Sequence, residues 1–423
     1  MHTIIHGDCL EELKKLEDNS VDAVITDPPY GLSNTKPAQV ADVLKAWVTG
    51  DTVSVPAKRG GFMGADWDSF VPPPAVWEEC MRALKPGGHM AVFAGARTQD
   101  LMGLSIRLAG FEIRDTLGWV YGSGFPKSMD ISKAIDKNLG AQRESVLVPT
   151  KKGNEKNPGG IAGEGRGGYR DISDPATSDA QRWDGWGTAL KPAIEPIILA
   201  RKPLDGTVAN NVLAHGVGGL NIDACRVQTD DNTARTCNGV GNSSSFDMAA
   251  SGERRVNGGS PAGRFPANVL LDEHAAKEMD KQSGVSVSKA GGRSGTHFSA
   301  GNEGVPTPDR PRGGHNDSGG ASRFFPVFKY QAKAPKKERP VIVREDGSKI
   351  QHPTVKPLKL MEWLVTLITP EGGTVLDPFA GTGTTLQAAT NKGFNPIGIE
   401  ADADYIQLIH QRMEGGEQST RNN

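Results

Sequence analysis

At 423 residues with a formal net charge of −2, the chain exceeds one average domain and has no global attraction for a polyanion. Hydrophobic residues reach 36%, aromatics 6%, and 53 residues are glycine; one large α/β core with a subdomain or long insertions is therefore expected. Cys9, Cys80, Cys225 and Cys237 show no paired short spacing, which fits a reduced cytoplasmic protein and excludes a disulfide scaffold. With His215 the cysteines are irregular and lack a fourth ligand, so no metal site is predicted. No stretch approaches the length of a membrane span.

Thr3 to His6 reads as a strand ending at Gly7-Asp8. Leu10, Leu13 and Leu16 then recur on one face of a short helix, and Val21 to Thr26 forms the next strand. This is a right-handed βαβ unit of a doubly wound sheet, with Asp8 and Asp27 expected on the same edge of neighbouring strands. The second strand runs into Asp27-Pro28-Pro29-Tyr30. Two prolines fix φ and remove two donors, so the Pro28 carbonyl is left facing the edge where open α/β folds place ligands. That carbonyl and the Asp27 carboxylate are two close acceptors, and Tyr30 adds a flat face. Together they suit an exocyclic amino group on a planar base.

From residue 31 to 70 the pattern weakens to a loop with one helix, Ala38 to Trp47, lying over the cleft or forming a surface insertion. Val76, Trp77, Cys80, Met81 and Leu84 predict a helix closed by Lys85-Pro86-Gly87-Gly88, followed by a buried strand from His89 to Ala94. A helix through Leu101, Leu104 and Leu108 and a strand from Phe111 to Val120 continue the sheet. Beyond it, Tyr121, the glycines Gly122 and Gly124, and Lys127 precede a helix from Ile131 to Leu139. Either a packed turn or a base-and-phosphate contact reads from this stretch.

Residues 151–325 hold 29 of the 53 glycines and little period beyond two runs, Glu195 to Ala200 and Asn268 to Leu271. Such a segment builds no large core alone. Its arginines, including Arg254 and Arg255, sit among Gly and Ser, which suits loops laid along phosphates. Phe324 to Tyr330 is an aromatic patch leading to the strongest basic cluster of the chain, Lys333, Lys336 and Lys337.

A helix through Leu358, Met361, Leu364 and Val365 leads to a second strand-and-turn, Thr374 to Thr385, containing Asp377-Pro378-Phe379-Ala380-Gly381-Thr382-Gly383-Thr384-Thr385. Its glycines allow close approach of a ligand at a helix N-terminus. No lysine follows the second glycine and no third glycine stands at dinucleotide spacing, so a nucleoside without phosphate fits better. About twenty residues on, a strand ends in Glu400, placed to hold a ribose hydroxyl pair.

Asp-Pro-Pro-Tyr near the start and Asp-Pro-Phe-Ala-Gly-Thr-Gly near the end make a pattern that resembles the DNA amino-methyltransferases dependent on S-adenosyl-L-methionine, in the permuted (beta) class. The resemblance covers residues 1–135 and 350–415 and implies a doubly wound, Rossmann-like α/β methyltransferase sheet. It also implies domains at 1–140 (catalytic half), 141–325 (irregular, Gly-rich target recognition region) and 326–423 (cofactor half). By the same resemblance Asp27, Pro28, Pro29 and Tyr30 are catalytic. Asp8 and Cys9 would contact the cofactor's adenine, Glu400 its ribose, and His352, Thr354 and Lys356 its methionine end. Asp377, Pro378, Phe379, Gly381, Gly383, Thr384 and Thr385 would form the cofactor turn. Lys127, Arg254, Arg255, Lys333, Lys336 and Lys337 are candidate contacts to double-stranded DNA.

The implied reaction methylates the amino group of a flipped adenine at N6, with cytosine N4 as the alternative and an inactive DNA-binding protein as a further one. Methylation at cytosine carbon-5 is disfavoured because that family's nucleophilic cysteine follows a proline. Here the preceding residues are Asp8, Glu79, Ala224 and Thr236. A monomer or homodimer in the bacterial cytoplasm, encoded by the bacterium or by a phage in a bacterial host, with or without a cognate restriction nuclease as a partner, is compatible with the resemblance.

Overall fold

A computed structural model describes residues 2–33, 35–56, 68–122, 124, 128–149, 169–229, 263–287, 291–292, 311–312, 318–328, 340–344, 346–352 and 354–420. Two compact units are present, residues 1–122 with 194–423, and residues 123–193.

The larger unit is built on nine strands: β1 (Thr3–His6), β2 (Val21–Thr26), β3 (Leu84–Phe93), β4 (Glu112–Val120), β5 (Ile194–Arg201), β6 (Val269–Asp272), β7 (Val327–Phe328), β8 (Thr374–Asp377) and β9 (Asn395–Glu400). Their order across the sheet is β1-β9-β8-β2-β3-β5-β4-β6-β7. The first five are mutually parallel, as are β4, β6 and β7. Only β5 runs against its neighbours, β3 and β4.

Every residue of β2 is buried, which is why it reads as a continuous apolar run rather than an alternation. Its side chains divide between two cores. Val21 and Val24 pack with Leu13, Trp47, Trp77 and Met102 from four helices on one face. Ala23 and Ile25 pack with Leu360, Leu364, Ala388 and Ala389 from two helices on the other. The α/β doubly wound architecture expected from the sequence is thus the one observed.

Four details differ from expectation. Asp8 and Asp27 do end on one edge, but β9 and β8 lie between their strands. The two C-terminal strands insert there, and sequence adjacency carries no information about such a nonlocal pairing. The helix Pro74–Ala83 passes directly into β3 without an intervening turn. There Gly87 takes φ +76 and the Pro86 carbonyl accepts from Asn211 Nδ2 at 2.9 Å, so the expected turn is an irregularity within the strand. β3 and β4 are separated by β5. Finally, the sheet ignores boundaries at 140 and 325, because β5 and β6, from the glycine-rich middle, belong to the core. Leu199, Ala200, Leu270 and Leu271 are buried there.

In the smaller unit, Ser145–Pro149 pairs with Tyr169–Ser173 in an antiparallel hairpin. The helices Ile131–Asn138 and Ser178–Arg182 are capped by Asp130 and Thr177. Its buried Asp136 accepts from Arg143 Nε at 2.6 Å and from Thr177 Oγ1 at 2.7 Å, and Arg143 also donates to Ser132. Among the described residues no helix is long and apolar enough to cross a membrane.

Candidate active site

Four neighbouring parallel strands, β1, β9, β8 and β2, each deliver an acid to their carboxyl edge: Asp8, Glu400, Asp377 and Asp27. Alignment of strand ends places these groups together although they are up to 392 positions apart in sequence.

Asp8 caps the helix Cys9–Leu13, its Oδ1 accepting from the amides of Leu10 (3.0 Å) and Glu11 (3.3 Å). Cys9 follows; burial, and then the Asp8 charge, push its thiol up to about 12, so it is no nucleophile at neutral pH. Glu400 accepts from the Gly381 amide at 2.8 Å with Oε2 and from the Asp402 amide at 2.9 Å with Oε1. Burial raises its carboxyl above the ordinary range, against those two amides.

The turn after β8 is held chiefly by main-chain geometry. Gly381 and Gly383 lie in the left-handed region at φ +54 and +75. Asp377 is buried; its Oδ1 accepts from Thr26 Oγ1 at 2.7 Å and from the Phe379 amide at 3.1 Å. Burial is the largest influence on it and pushes its carboxyl up to about 6, opposed by hydrogen bonds from Thr26, Thr385 and Phe379. Pro378 is buried within the turn, Phe379 tilts against Trp77 with ring centroids 6.3 Å apart, and Thr384 and Thr385 open the buried start of the helix Thr384–Asn391. From the C-terminal helix Ala403–Thr420, the buried Arg412 donates to the Thr382 carbonyl at 2.6 Å and to Gln387 Oε1 at 3.0 Å. No sequence motif announced Arg412.

A Cβ added at Gly381 would meet only His352 Nε2, at 3.8 Å, so the turn leaves room on that side. His352 packs edge-on against Tyr405, centroids 4.7 Å apart, its Nδ1 hydrogen-bonded to the main chain of Thr354. Burial lowers its imidazole's proton affinity. Glu400 Oε2 sits at the turn and Gly381 leaves its backbone uncovered there, an arrangement that allows close approach of a nucleoside.

Around Asp27 the arrangement is different. Tyr30 Oη donates toward Asp27 Oδ1 (2.7 Å) and Glu195 Oε1 (3.0 Å). Lys356 Nζ lies 3.0 Å from Asp27 Oδ1, 3.1 Å from Glu195 Oε1 and 2.9 Å from Tyr30 Oη. An ammonium has three protons, and all three meet acceptors here. The charge also lies over two rings, 5.3 Å from the centroid of Tyr30 and 4.7 Å from that of Phe93. Burial alone would lower the Lys356 proton affinity, but Asp27 and Glu195 outweigh it and hold the amine well above its ordinary range. Burial, then the same two carboxylates, raise the Tyr30 phenol, which stays protonated.

The main chain of this turn is fixed separately. The buried Asp68 accepts from the amides of Tyr30 (2.7 Å) and Gly31 (2.9 Å), and Thr98 Oγ1 donates to the Tyr30 carbonyl at 2.6 Å. Pro28 is buried and Pro29 half-buried.

Lys356, expected at the cofactor's methionine end, lies against Asp27. Glu195 was missed by sequence reasoning. The available signal was a carboxylate opening an otherwise apolar run, but its meaning depends on strand direction. Because β5 is antiparallel, its first residues arrive at the edge where β2 and β3 end. The six candidate DNA contacts, Lys127, Arg254, Arg255, Lys333, Lys336 and Lys337, lie outside the described residues.

This sheet order, with one antiparallel strand among parallel ones and helices on both faces, places the chain in the Rossmann-like α/β class. Within that class, the chain belongs to the N6/N4 DNA methylase family, whose model matches residues 21–411. It is 24% identical to the type II methyltransferase M.HindIII of Haemophilus influenzae over 97% of this chain and 94% of that protein. The DNA adenine methyltransferase YhdJ of Escherichia coli K12 is 30% identical over 35% of this chain and 41% of its own length. A solved structure of M1.HpyAVI in complex with SAM aligns at a TM-score of 0.39 with 15% identity, over 98% of this chain and 99% of that one.

Proposed function

We propose that this DNA methyltransferase transfers a methyl group from S-adenosyl-L-methionine to the N6 amino group of an adenine flipped out of duplex DNA. The observation that carries the reading is the juxtaposition, at one sheet edge, of the Asp27 turn with the nucleoside cradle of Glu400 and Gly381–Thr385, joined through the Thr26–Asp377 hydrogen bond. Asp27 as the first residue of its motif, and the local identity to a DNA adenine methyltransferase, support adenine over cytosine.

When bound, the cofactor supplies an electrophilic methyl on a sulfonium. Glu400 would hold the ribose and the Gly381–Thr385 turn the nucleoside, with His352 and Thr354 beside it. The amino nitrogen of adenine is a poor nucleophile because its lone pair is delocalised into the ring. Accepting its two N–H bonds at Asp27 and the Pro28 carbonyl favours the pyramidal, attacking form, and the carboxylate stabilises the positive charge that develops on nitrogen. Glu400 and the Gly381–Thr385 turn would hold the group whose sulfonium supplies the methyl and takes back the bonding pair, and at Asp27 and the Pro28 carbonyl the amino nitrogen would give up one proton to solvent. Holding the base in line with the methyl is the rest of the catalysis. Tyr30 supplies the face against which the flipped base rests.

Target recognition is assigned to the segments of 141–325 that lie outside the central sheet. The test is expression in a host without DNA methylation, followed by modification-sensitive sequencing, with Asp27→Ala as control. N6-methyladenine in one short motif, absent in the control, is the expected result; N4-methylcytosine would reverse the base assignment.

A further inference from the structure

Lys356 poses a chemical problem for that reaction. A cation paired with the carboxylate that would face a nitrogen becoming positive opposes the transition state. Asp27 and Lys356 alone would make a neutral pair, with little field left for the substrate. The structure supplies a second carboxylate on the other side of the same ammonium: Glu195, 3.1 Å from Nζ, whose side chain is largely buried, as is that of Lys356. Oδ1 of Asp27 takes both the Tyr30 and the Lys356 contacts, and among the described residues Oδ2 takes none. The formal charges of Asp27, Glu195, Lys356 and neutral Tyr30 therefore sum to −1, with Oδ2 of Asp27 left without a hydrogen bond to any described residue.

We infer that Glu195 is a positioning residue for methyl transfer, compensating the Lys356 ammonium so that Asp27 presents net negative charge to the target amine. The inference rests on the proposed function. Glu195 also binds Tyr30 Oη, so one carboxylate orients both partners of Asp27 from a strand remote from either motif. Beyond the four groups, the charge of Asp27 is felt at Asp377 and at His352, that of Lys356 at His352, and the buried Asp68 holds the amides of Tyr30 and Gly31.

Charge compensation differs from simple scaffolding in what restores activity. Glu195→Gln keeps an acceptor for Lys356 and Tyr30 but leaves the cluster neutral. Single-turnover transfer with both substrates saturating, near neutral pH, should fall about 100-fold, the scale of losing one preorganised electrostatic contact. S-adenosylmethionine affinity, measured by calorimetry, should stay within about threefold if the fold is intact and only charge has changed. Removing the cation as well, in Glu195→Gln/Lys356→Met, returns the net charge to −1 and should recover about tenfold of the lost rate.

A Glu195→Gln rate within about threefold of wild type, or a double variant no faster than Glu195→Gln, overturns the inference while wild-type transfer leaves the functional reading standing. Absence of DNA methylation by wild type overturns that reading and the inference with it.

Discussion

The two acidic turns at the sheet edge are built on opposite plans. The turn after β8 is shaped mainly by its own backbone: left-handed glycines, amides donating to Glu400 and Asp377, and one guanidinium clamping the Thr382 carbonyl. In the turn after β2 the main chain is held by Asp68 and Thr98, and the side chains of Asp27 and Tyr30 are held by charge from elsewhere, with Lys356 and Glu195 converging from two other segments. A backbone cradle suits a ligand that must be bound before and released after every cycle. A tuned charge cluster suits a group that must act only in the transition state. Damage to the first should therefore appear in affinity and stability, and damage to the second in rate.

The sharpest separation is expected from Asp27→Ala, which should lower methyl transfer by about 10³-fold or more with S-adenosylmethionine binding retained. Calorimetric titration beside single-turnover kinetics reads both; parallel loss of binding would erase the contrast.

Asp377 is next. Its folded-state carboxyl is raised by burial to about 6, against an unfolded value of 3.8. The native state thus binds the proton more tightly, so its contribution is fully present below about pH 4 and is lost as pH rises through about 6, by roughly 3 kcal/mol in all. Asp377→Asn removes this titration. Chemical unfolding across that window should show wild type losing stability relative to the variant, and superimposable pH profiles would refute the assignment.

Gly383→Ala tests the backbone plan directly. It forces a side chain into φ +75 and brings its Cβ 3.0 Å from Ile409 Cγ2. A stability loss of about 1–3 kcal/mol in the urea midpoint is expected, against no loss if the turn can relax. The smallest effect belongs to Arg412→Met, which keeps the buried stem but releases the Thr382 carbonyl. Affinity for S-adenosylmethionine should weaken about tenfold with the saturated rate unchanged. A rate defect without an affinity defect would place Arg412 in the other class of residue.

Much of this architecture is local and could be read in the chain. The continuous apolar run of β2, the Asp-Pro-Pro-Tyr turn that ends it, the glycine turn after β8 and the acid closing β9 all follow from hydrophobic period and turn chemistry. They were sufficient for the fold class and for the four edge acids. Strand order was not legible: β9 and β8 insert between β1 and β2, and β5 inserts between β3 and β4, because pairing is chosen by burial of whole faces rather than by adjacency along the chain.

The same limit hid the charge cluster. Glu195 opens a strand whose direction no local signal reveals, and Lys356 lies 329 positions from Asp27. The sequence by itself determined which side chains could do chemistry at each turn. Only the tertiary structure decided that Lys356 faces Asp27, and that an antiparallel strand brings Glu195 to answer its charge, since electrostatic partnership depends on distance in space and not on distance along the chain.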